Sequence, residues 1–196
     1  SNGMIISNLL PKLSRANGML AKIRHYVCQE TLINIYYAIF NAHLNYCPLV
    51  WGKLPKYLLD RVRTLQNNAL RLIHFKTRYE HTAPLYVDSK ILPFQAQLIK
   101  NQCLFALDQQ RKTIPDVFSD FCVPVSSIHH HDTIAAKKFE LSIPSSNTVI
   151  FGSNATKTQV PKSWNLIVHH LKNDLHSYSR AKFSNEVSEI LIMKYT

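Results

Sequence analysis

The sequence predicts a mainly helical chain: a helical bundle over residues 1–112, followed by a smaller α+β lobe over 113–196. Three observations carry this expectation. Apolar residues in the first 112 positions recur at three- and four-residue steps, the period of a half-buried helix. The chain has 196 residues and 46% apolar content, enough to bury a core as one domain or two small lobes. After Thr113-Ile114-Pro115 the helical period gives way to Pro115, Pro124, the Ser126-Ser127 pair and the His129-His130-His131 run, which punctuate a chain at a boundary.

The elements follow in order. Leu13, Ala16, Leu20, Ile23 and Val27 trace one face of a first helix, with Arg15, Lys22 and Arg24 on its polar side. A second helix starts after Gln29-Glu30-Thr31 and runs through Leu32, Ile35, Tyr36, Ile39, Phe40 and Leu44, fading at Pro48 and Gly52. Its aromatic residues, and Tyr26, Tyr46 and Trp51 beside it, read as core on helical spacing rather than as platforms for bases. Pro55 suits a first helical turn, after which Leu58, Val62, Leu65, Ala69, Leu72 and Ile73 form one face of a third helix. Arg61, Thr64, Asn68 and Arg71 follow its other face. Thr82-Ala83-Pro84 breaks the pattern before a fourth helix from Phe94 to Gln110. In the second lobe, the alternation of Phe139-Glu140-Leu141-Ser142-Ile143 and the β-branched stretch up to Phe151 predict a short hairpin near 139–151, turning at Pro144-Ser145-Ser146. Two terminal helices, Pro161 to Lys172 and Arg180 to Lys194, close the chain, with Trp164 as their anchor.

Charge narrows the choice of partners. Twenty-three Lys and Arg against twelve acidic residues give a formal charge of +11, which points to an anionic partner, nucleic acid before a membrane surface. Residues 1–80 hold eleven basic and three acidic side chains, or +8, and the remaining 116 hold twelve and nine, or +3. The electrostatic argument therefore belongs to the first half, and Arg15, Lys22, Arg24, Arg61, Asn68 and Arg71 are its candidate nucleic-acid contacts.

Other chemistries find little support. Cys28, Cys47, Cys103 and Cys122 are separated by 18, 55 and 18 residues, without the close pairs of a zinc or redox motif, so they read as reduced core thiols. The His129-His130-His131-Asp132 run reads as a surface tract, because neighbours in sequence do not converge on one ion without a specific turn. With four glycines in the chain, there is no phosphate-cradling loop and no Gly-x-Ser-x-Gly elbow. Two-metal phosphoryl transfer needs several converging carboxylates, and residues 1–79 offer only Glu30 and Asp60. Tyr86-Val87-Asp88-Ser89 has a single carboxylate. No catalytic residue, metal ligand or cofactor is expected in this chain. Ser1-Asn2-Gly3 lacks the basic start of a signal peptide, Pro11 interrupts the first apolar stretch, and Asn34, Asn41, His43 and Asn45 interrupt the longest one. An intracellular chain without a membrane span is the expectation.

Three strings in order carry a resemblance. Lys12-Leu13-Ser14-Arg15-Ala16-Asn17-Gly18-Met19-Leu20-Ala21-Lys22-Ile23-Arg24-His25-Tyr26-Val27 resembles the opening of the thumb in reverse transcriptases of non-LTR, LINE-type retrotransposons. Leu32 to Phe40 with the later Val50-Trp51-Gly52, and Leu65-Gln66-Asn67-Asn68-Ala69-Leu70-Arg71-Leu72-Ile73, resemble the segments that follow. The likeness thins through His81 to Tyr86, Ile91-Leu92, Gln102 to Phe105, Phe151-Gly152, Ser163-Trp164-Asn165 and Lys194-Tyr195. It also departs at Asp132-Thr133-Ile134, where the family often places Asn-Thr-Arg. The resemblance implies a thumb-like bundle and tail of an RNA-directed DNA polymerase, whose catalytic palm, with its carboxylates and magnesium, would precede Ser1. The implied partners are an RNA·DNA or DNA duplex and that palm.

A second reading of a different class is a non-catalytic structural or interaction remnant of a retroelement that forms a homo-oligomer, because a face that once packed on a palm would be bare.

Overall fold

The computed structural model describes residues 2–46, 56–128, 139–145, 147–148, 152, 155–171 and 178–194, with the backbone alone for 2–7. The fold is mainly helical, and no strand forms among the described residues. The chain divides into two compact units, one taking in the described residues before 95 and the other those from 95 to 194.

In the first unit, helix α1 (Asn2–Ile23) buries Leu9, Leu13, Ala16 and Leu20, a stripe repeating every three to four residues. Pro11 lies inside this helix instead of ending the apolar stretch. It withholds one backbone N–H, a loss that the packed stripe on either side offsets. Helix α2 (Gln29–Ile35) continues as a π-helical segment over Tyr36–Asn41 and ends in a turn at Ala42–Leu44. Leu32, Tyr36, Phe40 and Leu44 are all buried at four-residue steps. In an α-helix each such step drifts by about 40°, so three steps would carry Leu44 off the stripe. The wider π turn winds the phase back and keeps all four on the core side. Tyr36 and Phe40 stack at 5.1 Å within it.

Helix α3 (Lys56–Ile73) buries Val62, Gln66, Ala69, Leu70 and Ile73 and packs along α1. The Asn17 side-chain amide ties the two by donating to the Leu65 carbonyl at 2.9 Å. Beyond α3 the sequence predicts only a break at Thr82-Ala83-Pro84, but helix α4 (Ala83–Asp88) forms there, with Pro84 in its first turn. A missing N–H costs nothing at that position.

Gln66 joins these parts. It is fully buried; its Nε2 donates to Tyr36 Oη and to the Leu92 carbonyl, both at 2.9 Å, while its Oε1 accepts the Phe94 N–H at 2.8 Å. One amide thereby fixes the π segment, α3 and the end of the first unit.

Helix α5 (Phe94–Gln110) has the predicted bounds, but its residues from 95 onward lie in the second unit, not in a bundle ending at 112. There Cys103 Sγ meets the Ser163 carbonyl at 3.4 Å and Ser163 Oγ donates to Gln102 Oε1 at 2.5 Å. A 3₁₀ turn (Asp116–Phe121) places Phe118 and Phe121 against Phe105, with centroids 5.7 and 6.2 Å from it. Helix α6 (Val125–Ile128) is a single turn. Helix α7 (Thr156–Val168) starts before Pro161 and contains it, and helix α8 (Arg180–Met193) is capped by Ser179 Oγ, which accepts from the Lys182 N–H. Trp164 is buried, stacks on Phe183 at 5.8 Å and donates to the Phe139 carbonyl at 2.9 Å.

The predicted hairpin near 139–151 is not seen. Among the described residues of that stretch, Leu141 makes only an isolated antiparallel bridge to Pro124. Its N–H and C=O are both taken by the Asn165 side-chain amide, at 2.8 and 2.9 Å. That amide satisfies the two backbone groups that a neighbouring strand would have paired.

Replacing Gln66 with Leu strands the Leu92 carbonyl and the Phe94 N–H, and is expected to cost about 2–4 kcal/mol in denaturant unfolding. Tyr36→Phe removes one acceptor and leaves Gln66 Nε2 with Leu92, so about 1 kcal/mol is expected. Equal effects of the two changes would dismiss Gln66 as the shared partner.

Candidate nucleic-acid interface

With Gln66 on its buried side, α3 turns Arg61, Thr64, Asn68 and Arg71 outward along one stripe, as the spacing predicts. Arg61, Thr64 and Asn68 are exposed and Arg71 is half-buried. Two shallow grooves share Thr64. One is lined by Leu10, Pro11, Ser14, Arg61, Thr64 and Leu65, the other by Thr64, Asn68, Arg71, Leu72, Lys76 and Arg78. The lining of both contains four cations and no carboxylate.

Arg61 makes no hydrogen bond or ion pair with another described residue, which leaves its five donors open to solvent or an anion. Arg71 is partly committed: its Nε donates to the Glu80 carbonyl at 3.0 Å, and Nη1 stands 3.4 Å from Asn68 Oδ1. These bonds fold the 76–80 turn against α3 and orient both side chains of the groove. Lys76 Nζ lies 3.2 Å from Glu80 Oε2, and Lys76 with the Thr77 N–H holds the Glu80 carboxyl below its ordinary range. Arg78 is exposed beside them.

The candidates on α1 separate. Arg15 and Lys22 are exposed, seven residues apart and so close to one line on the helix, without a hydrogen-bond or ion-pair partner among the described residues. Arg24 is different. It lies past the end of α1, half-buried, with its guanidinium carbon 5.2 Å from the centre of the Phe75 ring. Its Nε is buried without a hydrogen-bond partner. Arg24 therefore does not join the open line of Arg15 and Lys22. Lys76 and Arg78, which line the groove, escaped the sequence reading because they lie beyond α3, although the run of basic residues continuing past the helix end was their signal.

The remaining polar features of the first unit are structural in geometry. Tyr86 Oη donates to Asn67 Oδ1 at 2.8 Å, and Asp88 Oδ2 lies 3.4 Å from His74 Nδ1. Gln29 Nε2 stands 3.0 Å from the same nitrogen, while His74 Nε2 is buried without a partner. Burial pushes the His74 imidazole below its ordinary value, outweighing the opposite pull of Asp88.

Among the described residues no group of three or more His, Cys, Asp or Glu could hold a metal ion, and no helix is long and apolar enough to cross a membrane. The 129–132 tract and Cys47 lie outside the described residues. Cys103 and Cys122 are core thiols as expected, but Cys28 is exposed, its Sγ 3.2 Å from Thr31 Oγ1 at the start of α2. In the second unit a cavity of about 470 Å³ is lined by Gln109, Asp116, Ser119 and Cys122 among others. Burial pushes the Cys122 thiol up to about 12, so it stays protonated at neutral pH and is no nucleophile there. No protein-family model, curated protein or solved structure matches the chain.

A pH test follows from His74. Unfolded histidine titrates near 6.5, at about the ordinary value, and the folded imidazole titrates lower. Between those values the unfolded chain binds more protons, so stability falls as pH drops through that window. The stability of the wild type relative to a His74→Phe variant should fall as pH drops below about 7.5; a relative stability that stays constant would assign the acid sensitivity to other groups.

Proposed function

We propose that this chain is the thumb and C-terminal segment of a non-LTR retrotransposon RNA-directed DNA polymerase, and that it grips a template–primer duplex through the phosphate backbone without reading its sequence. The observation that carries this is the α3 stripe: Arg61, Thr64, Asn68 and Arg71 stand on the outer face of one helix, extended by Lys76 and Arg78, in grooves whose lining has no carboxylate. Arginine and lysine bind phosphates, while Thr and Asn reach phosphate or sugar oxygens, which fixes position and carries no sequence information. Arg15 and Lys22 add charge along α1. The described parts of the three strings that resemble the family's thumb fall on α1 and the turn after it, on α2 with its π segment, and on α3, while Val50-Trp51-Gly52 lie outside the described residues. On this reading the chemistry belongs to a palm with its own carboxylates and magnesium, and the present chain contributes grip.

Binding to a labelled RNA·DNA hybrid should weaken steeply with salt, because each neutralised phosphate releases counterions and contributes about 0.9 to the slope of log K against log salt. Arg61→Ala, which disturbs no internal bond, should lower that slope by about one, and a further Arg71→Gln change by about one more. Affinity indifferent to both changes and to ionic strength would sink the reading. A dimer without nucleic-acid affinity in the same buffer would favour the self-associating remnant instead.

A further inference from the structure

Helix α3 ends with the Phe75 N–H bonded to the Leu72 carbonyl and the Lys76 N–H reaching back to the Arg71 carbonyl at 2.8 Å, the closing pattern that requires a left-handed residue between them. That residue is Phe75, at φ 56°. Glycine is the usual occupant, and a side chain with a Cβ is strained there. The strain is not repaid by deep burial, since Phe75 keeps 47% of its surface exposed. The Arg24 guanidinium stacks over the ring at 5.2 Å, and its side chain makes no hydrogen bond or ion pair with another described residue. In the turn that follows, Tyr79 is 91% exposed, and near Arg24 in sequence Tyr26 is 86% exposed. Lys76 and Arg78, from the same turn, line the basic groove.

Exposed aromatic rings interleaved with cations at the end of a phosphate-binding groove have the composition of a base-stacking platform: rings and guanidinium planes take the flat faces of bases, and the cations take the intervening phosphates. Bases inside a duplex, stacked on neighbours on both faces, cannot use such a surface. We propose that Arg24, Phe75 and Tyr79 form a stacking site for unpaired nucleotides where the groove along α3 ends, so that the chain takes up single-stranded nucleic acid leading out of the duplex. The proposal rests on the groove reading above and extends it from duplex to the single strand adjoining it.

The test compares a blunt RNA·DNA hybrid, the same hybrid with a six-nucleotide single-stranded extension, and that single strand alone, with wild type, Phe75→Gly and Tyr79→Ala. Phe75→Gly relieves the left-handed strain, so its melting temperature should be unchanged or raised. It should nonetheless lose about tenfold in affinity for the extended hybrid and the single strand while leaving the blunt hybrid unaffected, in keeping with the removal of one stacked base. Tyr79→Ala, at a nearly fully exposed position, should act in the same direction. If the blunt hybrid binds wild type and the extension adds nothing, or both variants bind all three ligands as wild type does, the platform is overturned and the groove stands. If the blunt hybrid does not bind, the groove reading fails, and unchanged binding of the single strand by Phe75→Gly then removes the platform as well.

Discussion

Gln66 sits on the inner side of α3 with its whole side-chain amide engaged by Tyr36, the Leu92 carbonyl and the Phe94 N–H. A fully buried carboxamide is costly unless its donors and its acceptor find partners, and here the partners come from three different parts of the first unit. The consequence reaches the surface. Rotating α3 by even one residue, about 100°, would break all three bonds, so the helix has one permitted orientation. Because Val62, Ala69, Leu70 and Ile73 share that inner side, Arg61, Thr64, Asn68 and Arg71 must share the outer one. The basic stripe is the reverse face of a polar lock.

Much of this was legible in the sequence where period alone decided it. The Phe94–Gln110 helix, the outer face of α3 and the burial of Trp164 all follow from spacing and side-chain size. Proline misled, because Pro11 and Pro161 lie within helices and Pro84 begins one; local preference against an interior proline gave way to apolar contacts on both sides of it. The hairpin failed for a different reason. Period-two alternation around Leu141 is real, but the Asn165 amide supplies the pairing, and no local pattern shows that a side chain 24 residues away will substitute for a strand. Arg24 looked like its neighbours Arg15 and Lys22, and only the reversal of the chain at Phe75, a long-range event, distinguishes it. Gln66 is one polar letter beside an otherwise apolar face, and no local pattern marks it as buried.

Glycine scarcity explains a further feature. With four glycines in the chain, the left-handed turns that end α3, α4 and α5 fall to Phe75, Lys90 and Lys112. Each is followed by the same long reach of an N–H back into the helix, from Lys76, Ile91 and Thr113. The cost of such a residue is about 1–2 kcal/mol, modest enough for tertiary contacts to bear. At Lys90 and Lys112 a long flexible cation extends into solvent, an ordinary choice for a helix end, where positive charge also complements the carbonyl dipoles. Phe75 gains no such benefit, and its ring is instead matched to Arg24.

Magnitudes set what the surface can do alone. Arg61 and Arg71 are ten residues apart, about 15 Å along the helix, and one strand of duplex carries a charge every 3.4 Å, or about four phosphates over that length. The cations lining the grooves are Arg61, Arg71, Lys76 and Arg78, a number of the same order, with one of them shared with Glu80. Three or four neutralised phosphates correspond to a salt slope of about −3, so affinity falls some sixtyfold between 50 and 200 mM salt, an order-of-magnitude figure from counterion release alone. On the proposed reading such a grip would hold a duplex loosely, and it would become effective only if a second binding element raised the local concentration of the duplex to the millimolar range. Weak, position-only contact is what the proposed clamp would require, since each added nucleotide would then shift the duplex past identical phosphates at no change in energy.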